Sequence, residues 1–355
     1  MSEKRSNTPK VDPRRRDFLR LGAAATPGGA AASLGLADPG HAAVRELPSL
    51  PANPVTSAAM PRRNLGRTGY ATGIFSLGGQ AAVEQPNNEE AAVEIVERAI
   101  DLGINYIDTA ARYGGDDRWS QRYIGKVMKR RRGEVFLATK THDRTRDGSM
   151  KLLDESLKLL QTDHLDLWQV HNLSEMEQVE AIFEKDGAVK ALAEARDQGI
   201  VRNIGVTGHA NPEVLVETIR RFPFDTLLLA LNAADRHYLS FIEDLLPLAV
   251  EKEMGIIGMK IPSRGRLLAS WTPPEGEDRR ETDSGPGTLN MREALRYVLS
   301  LPVSTVIVGC DNVAQLEENV SVARSFNPLS PGQMASLEER AEPVHRQVLF
   351  YRRRT

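Results

Sequence analysis

Four side chains with complementary acid–base character stand out in this chain: Asp108, Tyr113, Lys140 and His171. The first two lie in YIDTAARYG (106–114), where a short apolar run meets glycine. Together they suit the protonation of a developing alkoxide. A carbonyl that accepts a hydride becomes negative at oxygen and needs an acid beside it. A phenol, with an ordinary pKa of about 10, is too weak an acid for this at neutral pH. A neighbouring ammonium favours phenolate and lowers that value. Lys140 supplies such a charge, and Asp108 can hold Lys140 and offset the penalty of burying it. His171 can hydrogen-bond the same oxygen and orient the carbonyl. Singly, each residue has a plainer reading: a turn cap, a rim aromatic, a lysine reaching solvent, a polar strand end. Jointly the four fit one task.

These residues converge only if the intervening chain folds so as to collect strand ends. After residue 60, short apolar runs alternate with amphipathic helical stretches. The runs are IFSLGG (74–79), YIDTA (106–110), VFLATK (135–140), LDLWQVH (165–171), NIGVTG (203–208), TLLLALN (226–232), IIGMKI (256–261) and TVIVGC (305–310). Helices are predicted over 88–103, 186–199 and 211–222, the last opening with Asn211 as cap and Pro212 at the first position. Continuous apolar strands alternating with helices imply a parallel sheet covered by helices. Eight units predict an α/β fold of the (β/α)8 TIM-barrel type, with RRNLGRTGYATG (62–73) as a short N-terminal β-hairpin. The runner-up, a doubly wound sheet, lacks its glycine fingerprint, since LGGQAAVEQ follows the first strand. In a barrel the C-terminal strand ends carry the chemistry. Asp108, Lys140 and His171 end three successive strands, and Tyr113 lies in the loop above Asp108.

Composition excludes other classes. The formal net charge of -2 gives no reason to expect nucleic acid or an acidic membrane surface as partner. The local run KRRR (129–132) ends a predicted helix and reads as a solvated face. A single cysteine, Cys310, permits no intrachain disulfide and reads as a small buried residue. No metal-type His/Cys cluster is present, and His164 and His171 point to opposite faces of their strand. Nothing selects an oligomeric state.

Residues 1–42 read as a separate object. Arg15-Arg16-Asp17-Phe18-Leu19-Arg20 resembles the twin-arginine export signal, followed by an Ala/Gly/Leu stretch and a cut expected after Ala42. That implies passage through the twin-arginine translocase to the periplasm or another extracytoplasmic space; without a working signal the protein stays cytoplasmic. The stretch is too interrupted by Gly and Pro to be a stable membrane anchor. Residues 43–60 read as a linker, 61–330 as the barrel, and 331–355 as a C-terminal helical tail. The polar stretch WTPPEGEDRRETDSGPG (271–287) is expected near the mouth.

In order, FSLGGQ, INYIDTAARYG, VFLATKT, LDLWQVHN, IVRNIGVTGH and VIVGCDNVAQLEEN resemble the aldo-keto reductase superfamily over about residues 62–325, in a bacterial branch with a TGH/GMK pattern. The resemblance implies an oxidoreductase barrel that reduces an aldehyde or ketone and binds NAD(P)H without a Rossmann domain. It also implies a tetrad on Asp108, Tyr113, Lys140 and His171, the histidine favouring carbonyl over carbon–carbon double-bond reduction. NADP(H) is slightly favoured over NAD(H). For the cofactor, Thr207 and His209 stand near the family's Ser-Asn. Leu228 replaces a glutamine, leaving Asn232 as the nearest amide, and Lys260 follows Met259 where an aromatic is usual. Gly309, Cys310, Gln315, Glu318 and Asn319 occupy positions that normally include a lysine and an arginine for the 2′-phosphate. Arg264 and Arg266 are expected toward the pyrophosphate. Two other readings stay open. Export suggests a retained NAD(P) recycled within each turnover, as in epimerisation or glycoside cleavage. A non-catalytic cofactor-sensing or auxiliary barrel is the other.

Overall fold

The computed structural model describes residues 45–272 and 285–352. The chain opens with a short helix α1 (Thr56–Ala59), then the hairpin of β1 (Arg62–Asn64) and β2 (Ala71–Gly73), paired antiparallel with Arg62 opposite Gly73. Eight parallel strands follow: β3 (Phe75–Gly78), β4 (Tyr106–Asp108), β5 (Phe136–Thr141), β6 (Leu165–Val170), β7 (Val201–Gly208), β8 (Thr226–Ala230), β9 (Gly255–Met259) and β10 (Thr305–Val308). They close in sequence order into a barrel, β10 pairing β3. Between them run α2 (Glu89–Asp101), α3 (Trp119–Arg131), α4 (Arg146–Leu160), α5 (Met176–Phe183), α6 (Ala188–Asp197), α7 (Pro212–Arg221), α8 (Leu245–Glu251) and α9 (Met291–Ser300). Then come α10 (Val313–Arg324), α11 (Pro331–Ala341) and α12 (His345–Val348). This is the (β/α)8 architecture with its hairpin.

The strands read as continuous apolar runs because both faces are covered: every residue of β5 and β6 is buried. Helix starts follow their capping residues. Asn211 accepts from the Glu213 amide with Pro212 behind it, and Asn290/Glu293 and Ser330/Gln333 form capping boxes. Close packing needs glycine at two places. A Cβ on Gly125 of α3 would lie 2.0 Å from the Leu159 carbonyl oxygen of α4, and one on Gly205 of β7 would lie 2.2 Å from Thr226 Oγ1 inside the barrel. The hairpin covers the end of the barrel opposite the mouth. Tyr70 donates to the Asn105 carbonyl at 2.8 Å and stacks on Phe136, and Asn105 in turn bonds the Ala71 carbonyl and the Gly73 amide.

Three expectations change. Residues 45–60 are not a free linker: Asn53 is buried and donates to the Ile100 carbonyl, Ala52 bonds Gly133, and Met60 is buried. The KRRR run is only partly a solvated face. Arg131 pairs with Glu97, Asp101 and Glu134, and Arg132 reaches the fully buried Asp166 at 2.8 Å. The tail beyond 330 is helical, yet its end enters the protein, where Arg352 is fully buried. It pairs with Asp235 and donates to the carbonyls of Ala230, Tyr238 and Leu239. The 1–42 signal, the proposed cut and most of the 271–287 stretch lie outside the described residues.

Candidate active site

Register places the first group. Asp108 lies opposite Ala138 on the next strand, and Lys140 lies two residues farther toward the mouth, opposite Gln169. Residues two apart share a face, so Tyr106 and Asp108, Ala138 and Lys140, Leu167 and Gln169 all point inward. Asp108 and Lys140 are buried and form an ion pair. Lys140 Nζ also donates to the Thr109 carbonyl at 2.8 Å, and Gln169 Nε2 donates to Asp108 Oδ1 at 3.3 Å. Burial pushes the Asp108 carboxyl up, and Lys140 and Gln169 pull it back. Burial pushes the Lys140 ammonium down, and Asp108 opposes that. Burial thus works against both charges, and each partner opposes that effect on the other.

Tyr113 and His171 complete the group above this pair. Lys140 Nζ is 5.0 Å from the Tyr113 ring centroid, and the Tyr113 and His171 rings meet edge-on at 5.9 Å. Burial holds the His171 imidazole well below its ordinary range, and Lys140, His209, Arg144 and His142 add to the effect. The ring is therefore neutral at neutral pH. One expectation is corrected here: the net shift of the phenol is upward, although Lys140 faces the ring, its ammonium being engaged by Asp108 and the Thr109 carbonyl. Burial lifts the Tyr113 phenol well above its usual range, the Asp108 and Glu84 carboxylates lift it further, and Arg264 opposes them.

The residues expected at the cofactor divide into three sets. On the β7–β8 side, Thr207 Oγ1 accepts from the Asn172 amide at 2.8 Å, and His209 Nδ1 meets Asn172 Oδ1 at 2.6 Å. Asn232 Nδ2 donates to the Tyr351 hydroxyl at 3.0 Å and to the Lys260 carbonyl, while Tyr351 lies edge-on to His209 at 6.0 Å. After β9, Lys260, Ser263, Arg264 and Gly265 all take positive φ, which turns the loop back at the mouth. Lys260 donates to Gln80 Oε1 at 3.0 Å, and its pKa is pushed down to about 8, first by burial and then by Arg264. Arg266 instead stacks over Trp271 and Phe350. At the β10–α10 end, Gln315 serves the turn, its amide bonding Asn312 and its side chain Asp311. Cys310 is buried against Asn319, its thiol pushed up to about 12, and Glu318 is exposed. Burial thus makes Cys310 a packing residue rather than a thiolate.

A dinucleotide suits part of this arrangement. Lys260 and Arg264 are like charges held close, with no ion pair among the described residues, which fits a pyrophosphate. The stretch 309–319 holds Asp311, Glu317 and Glu318 and no cation of its own, and Arg98 from α2 pairs with Glu317. Sequence reasoning missed Gln169, Gln80, Tyr351, His142 and Arg144. His142 was the detectable one, since two-residue alternation from Lys140 aims it at the mouth.

A model of the Aldo/keto reductase family matches residues 71–342. The chain is 29% identical over 309 residues to L-galactose dehydrogenase of Arabidopsis thaliana, covering 79% of this chain and 94% of that protein. It is 25% identical over 297 residues to the uncharacterized oxidoreductase YqkF of Bacillus subtilis, covering 75% and 92%. Among solved structures, the holo form of aldo-keto reductase AKR11C1 from Bacillus halodurans superposes with a TM-score of 0.65 at 24% identity, covering 79% of this chain and 96% of that one. At that identity the likeness speaks for the fold.

Proposed function

Because the chain belongs to the aldo/keto reductase family, we propose that it reduces an aldehyde or ketone to an alcohol with NAD(P)H, Tyr113 being the proton donor. The observation that carries this reading is the meeting of Tyr113, Lys140, Asp108 and His171 at one end of the barrel. NAD(P)H, when bound, supplies the hydride. Tyr113 then gives its proton to the carbonyl oxygen. The raised phenol keeps that donor loaded at neutral pH, and an alkoxide is a stronger base than a phenolate, so the transfer runs downhill. Lys140, facing the ring, stabilises the phenolate left behind, and Asp108 with Gln169 keeps Lys140 charged and in place. The neutral His171 offers an N–H to the same oxygen and orients the carbonyl. Thr207, His209, Asn232, Lys260 and Arg264 are the residues proposed to hold the cofactor.

Purified full chain should oxidise NAD(P)H with a panel of aldehydes, and Tyr113→Phe should lower kcat by roughly 10²–10⁴-fold. Undiminished turnover in a folded variant would falsify the donor role. The slight preference for NADP(H) expected from the resemblance finds no cation at 309–319. KM for NADPH is therefore expected to be no lower than for NADH, and a tenfold lower KM for NADPH would sink that assignment.

A second reading is favoured by one observation: the C-terminal segment ties Tyr351 to Asn232 and sets it against His209, over the cofactor side of the mouth. Combined with export by the twin-arginine route, this supports a retained cofactor recycled within each turnover. NAD(P) that survives dialysis, with no net consumption during turnover, distinguishes it from the first reading.

A further inference from the structure

Across the mouth from Lys260 and Arg264, the loops after β4 and β5 bring together Arg112, Arg118, His142 and Arg144. In the closed strand order, β4 and β5 lie opposite β8 and β9, so this group is separate from Lys260 and Arg264, although Arg144 shares Asn172 with Thr207 and His209. Arg144 Nη2 donates to the Asn172 carbonyl at 3.1 Å, which fixes its guanidinium beside His171. Its Nη1 is buried and has no hydrogen-bond partner. The same holds for Arg118 Nη1 and for His142 Nδ1. Arg118 itself sits in the left-handed region, φ 54°, at the start of α3, with its other terminal nitrogen on Glu155 at 2.6 Å.

Buried guanidinium nitrogens without acceptors are unfavourable, and native proteins pair nearly all such groups. Two carboxylates are close, and both have other work. Asp143 Oδ1 accepts from the Thr145 amide and hydroxyl at 2.7 and 2.6 Å, and its carboxylate packs where a Cβ on Gly148 would stand. Glu155 serves the far side of Arg118. Arg112 is exposed and makes no ion pair among the described residues. Positive charge therefore outweighs its acceptors here: burial, Arg112 and Arg118 all hold His142 below its ordinary range, and Asp143 only partly opposes them.

We propose that the substrate is an anionic carbonyl compound whose carboxylate or phosphate docks on Arg144, His142 and Arg118 while its carbonyl lies between Tyr113 and His171. A planar guanidinium with one terminal nitrogen buried and unpaired is suited to an oxyanion. Its anchoring on Asn172, next to His171, places that nitrogen beside the reacting carbonyl. This inference rests on the carbonyl-reductase reading and names its substrate class.

The test compares matched pairs on the full chain with NAD(P)H: succinic semialdehyde against butanal, and glyceraldehyde 3-phosphate against glyceraldehyde. At least one anionic member should exceed its neutral partner by tenfold or more in kcat/KM, mainly through KM, and the better pair identifies carboxylate or phosphate. Arg144→Gln should shrink that ratio about tenfold, and Arg144→Lys should restore part of it. A merely structural role would depress both members of a pair alike and leave the ratio unmoved. Neutral partners equal to or better than anionic ones overturn the proposal while the reductase reading stands. If no aldehyde is turned over, the reductase reading fails first. Calorimetric titration with succinic semialdehyde then decides the site: binding that Arg144→Gln weakens supports it, and binding indifferent to that change, or none, overturns it.

Discussion

The two halves of the barrel mouth are built differently. From β4 to β6 the polar side chains meet neighbours one or two strands away: Lys140 reaches Asp108, Gln169 reaches Asp108, and Tyr113 leans over from the adjoining loop. From β7 to β9, Thr207 and His209 likewise meet Asn172 beside the neighbouring strand, but two groups are tied across long stretches of chain. Asn232 bonds Tyr351, 119 residues on, and Lys260 bonds Gln80, 180 residues back. The first half thus rests on neighbouring strands and the loop that follows one of them. The second also draws on the C-terminal segment, through Tyr351.

The comparison is sharpest where a buried charge loses its partner. Lys140→Met leaves Asp108 buried with Gln169 as its remaining side-chain partner, and unfolding free energy should fall by about 3–5 kcal/mol. The double change Asp108→Leu with Lys140→Met removes both charges and should recover most of that stability without recovering turnover. Urea titration beside a turnover assay separates the two effects. If the double variant is no more stable than the single one, the pair is not the isolated ionic unit described here.

The other half is probed through its strap. Arg352→Met removes a buried guanidinium from Asp235, which keeps bonds from Ser240, Phe241 and Ile242. Because Asp235 stays partly satisfied, the expected loss is smaller, about 2–3 kcal/mol. Cofactor KM should rise as Tyr351 loosens from Asn232, while kcat with saturating cofactor changes little. A drop in kcat matching that of Tyr113→Phe would mean that the two halves are not separable.

The same contrast explains what could be read in advance. The eight strands, the hairpin and the Asn211–Pro212 helix start were legible because each is specified by a few contiguous residues. So was the Asp108–Tyr113–Lys140–His171 group, since strand ends converge by topology alone. The ties on the β7–β9 side were not, because Tyr351 and Gln80 reach it from distant segments that no local pattern connects. The net rise of the Tyr113 phenol was not legible for a related reason. An ammonium near a phenol is readable from strand position, but its commitment to Asp108 and the Thr109 carbonyl depends on hydrogen-bond directions that only coordinates give.

The smallest effect concerns Lys260, and its sign separates binding from folding. Burial and Arg264 bring its pKa from 10.5 to about 8. In the free enzyme the ammonium is therefore mostly present at pH 7 and mostly lost at pH 9. If Lys260 contacts a cofactor phosphate, KM for NAD(P)H should rise about threefold over that interval, since one charged contact is lost. Folding moves the other way. The unfolded chain binds the proton more tightly than the native state between about pH 8 and 10.5, so this group's contribution to stability improves as pH rises through that window. Lys260→Met should abolish both slopes. A KM that is flat from pH 7 to 9 in the parent, or one that still rises in the variant, would remove Lys260 from the cofactor side and leave Arg264 as its remaining cation.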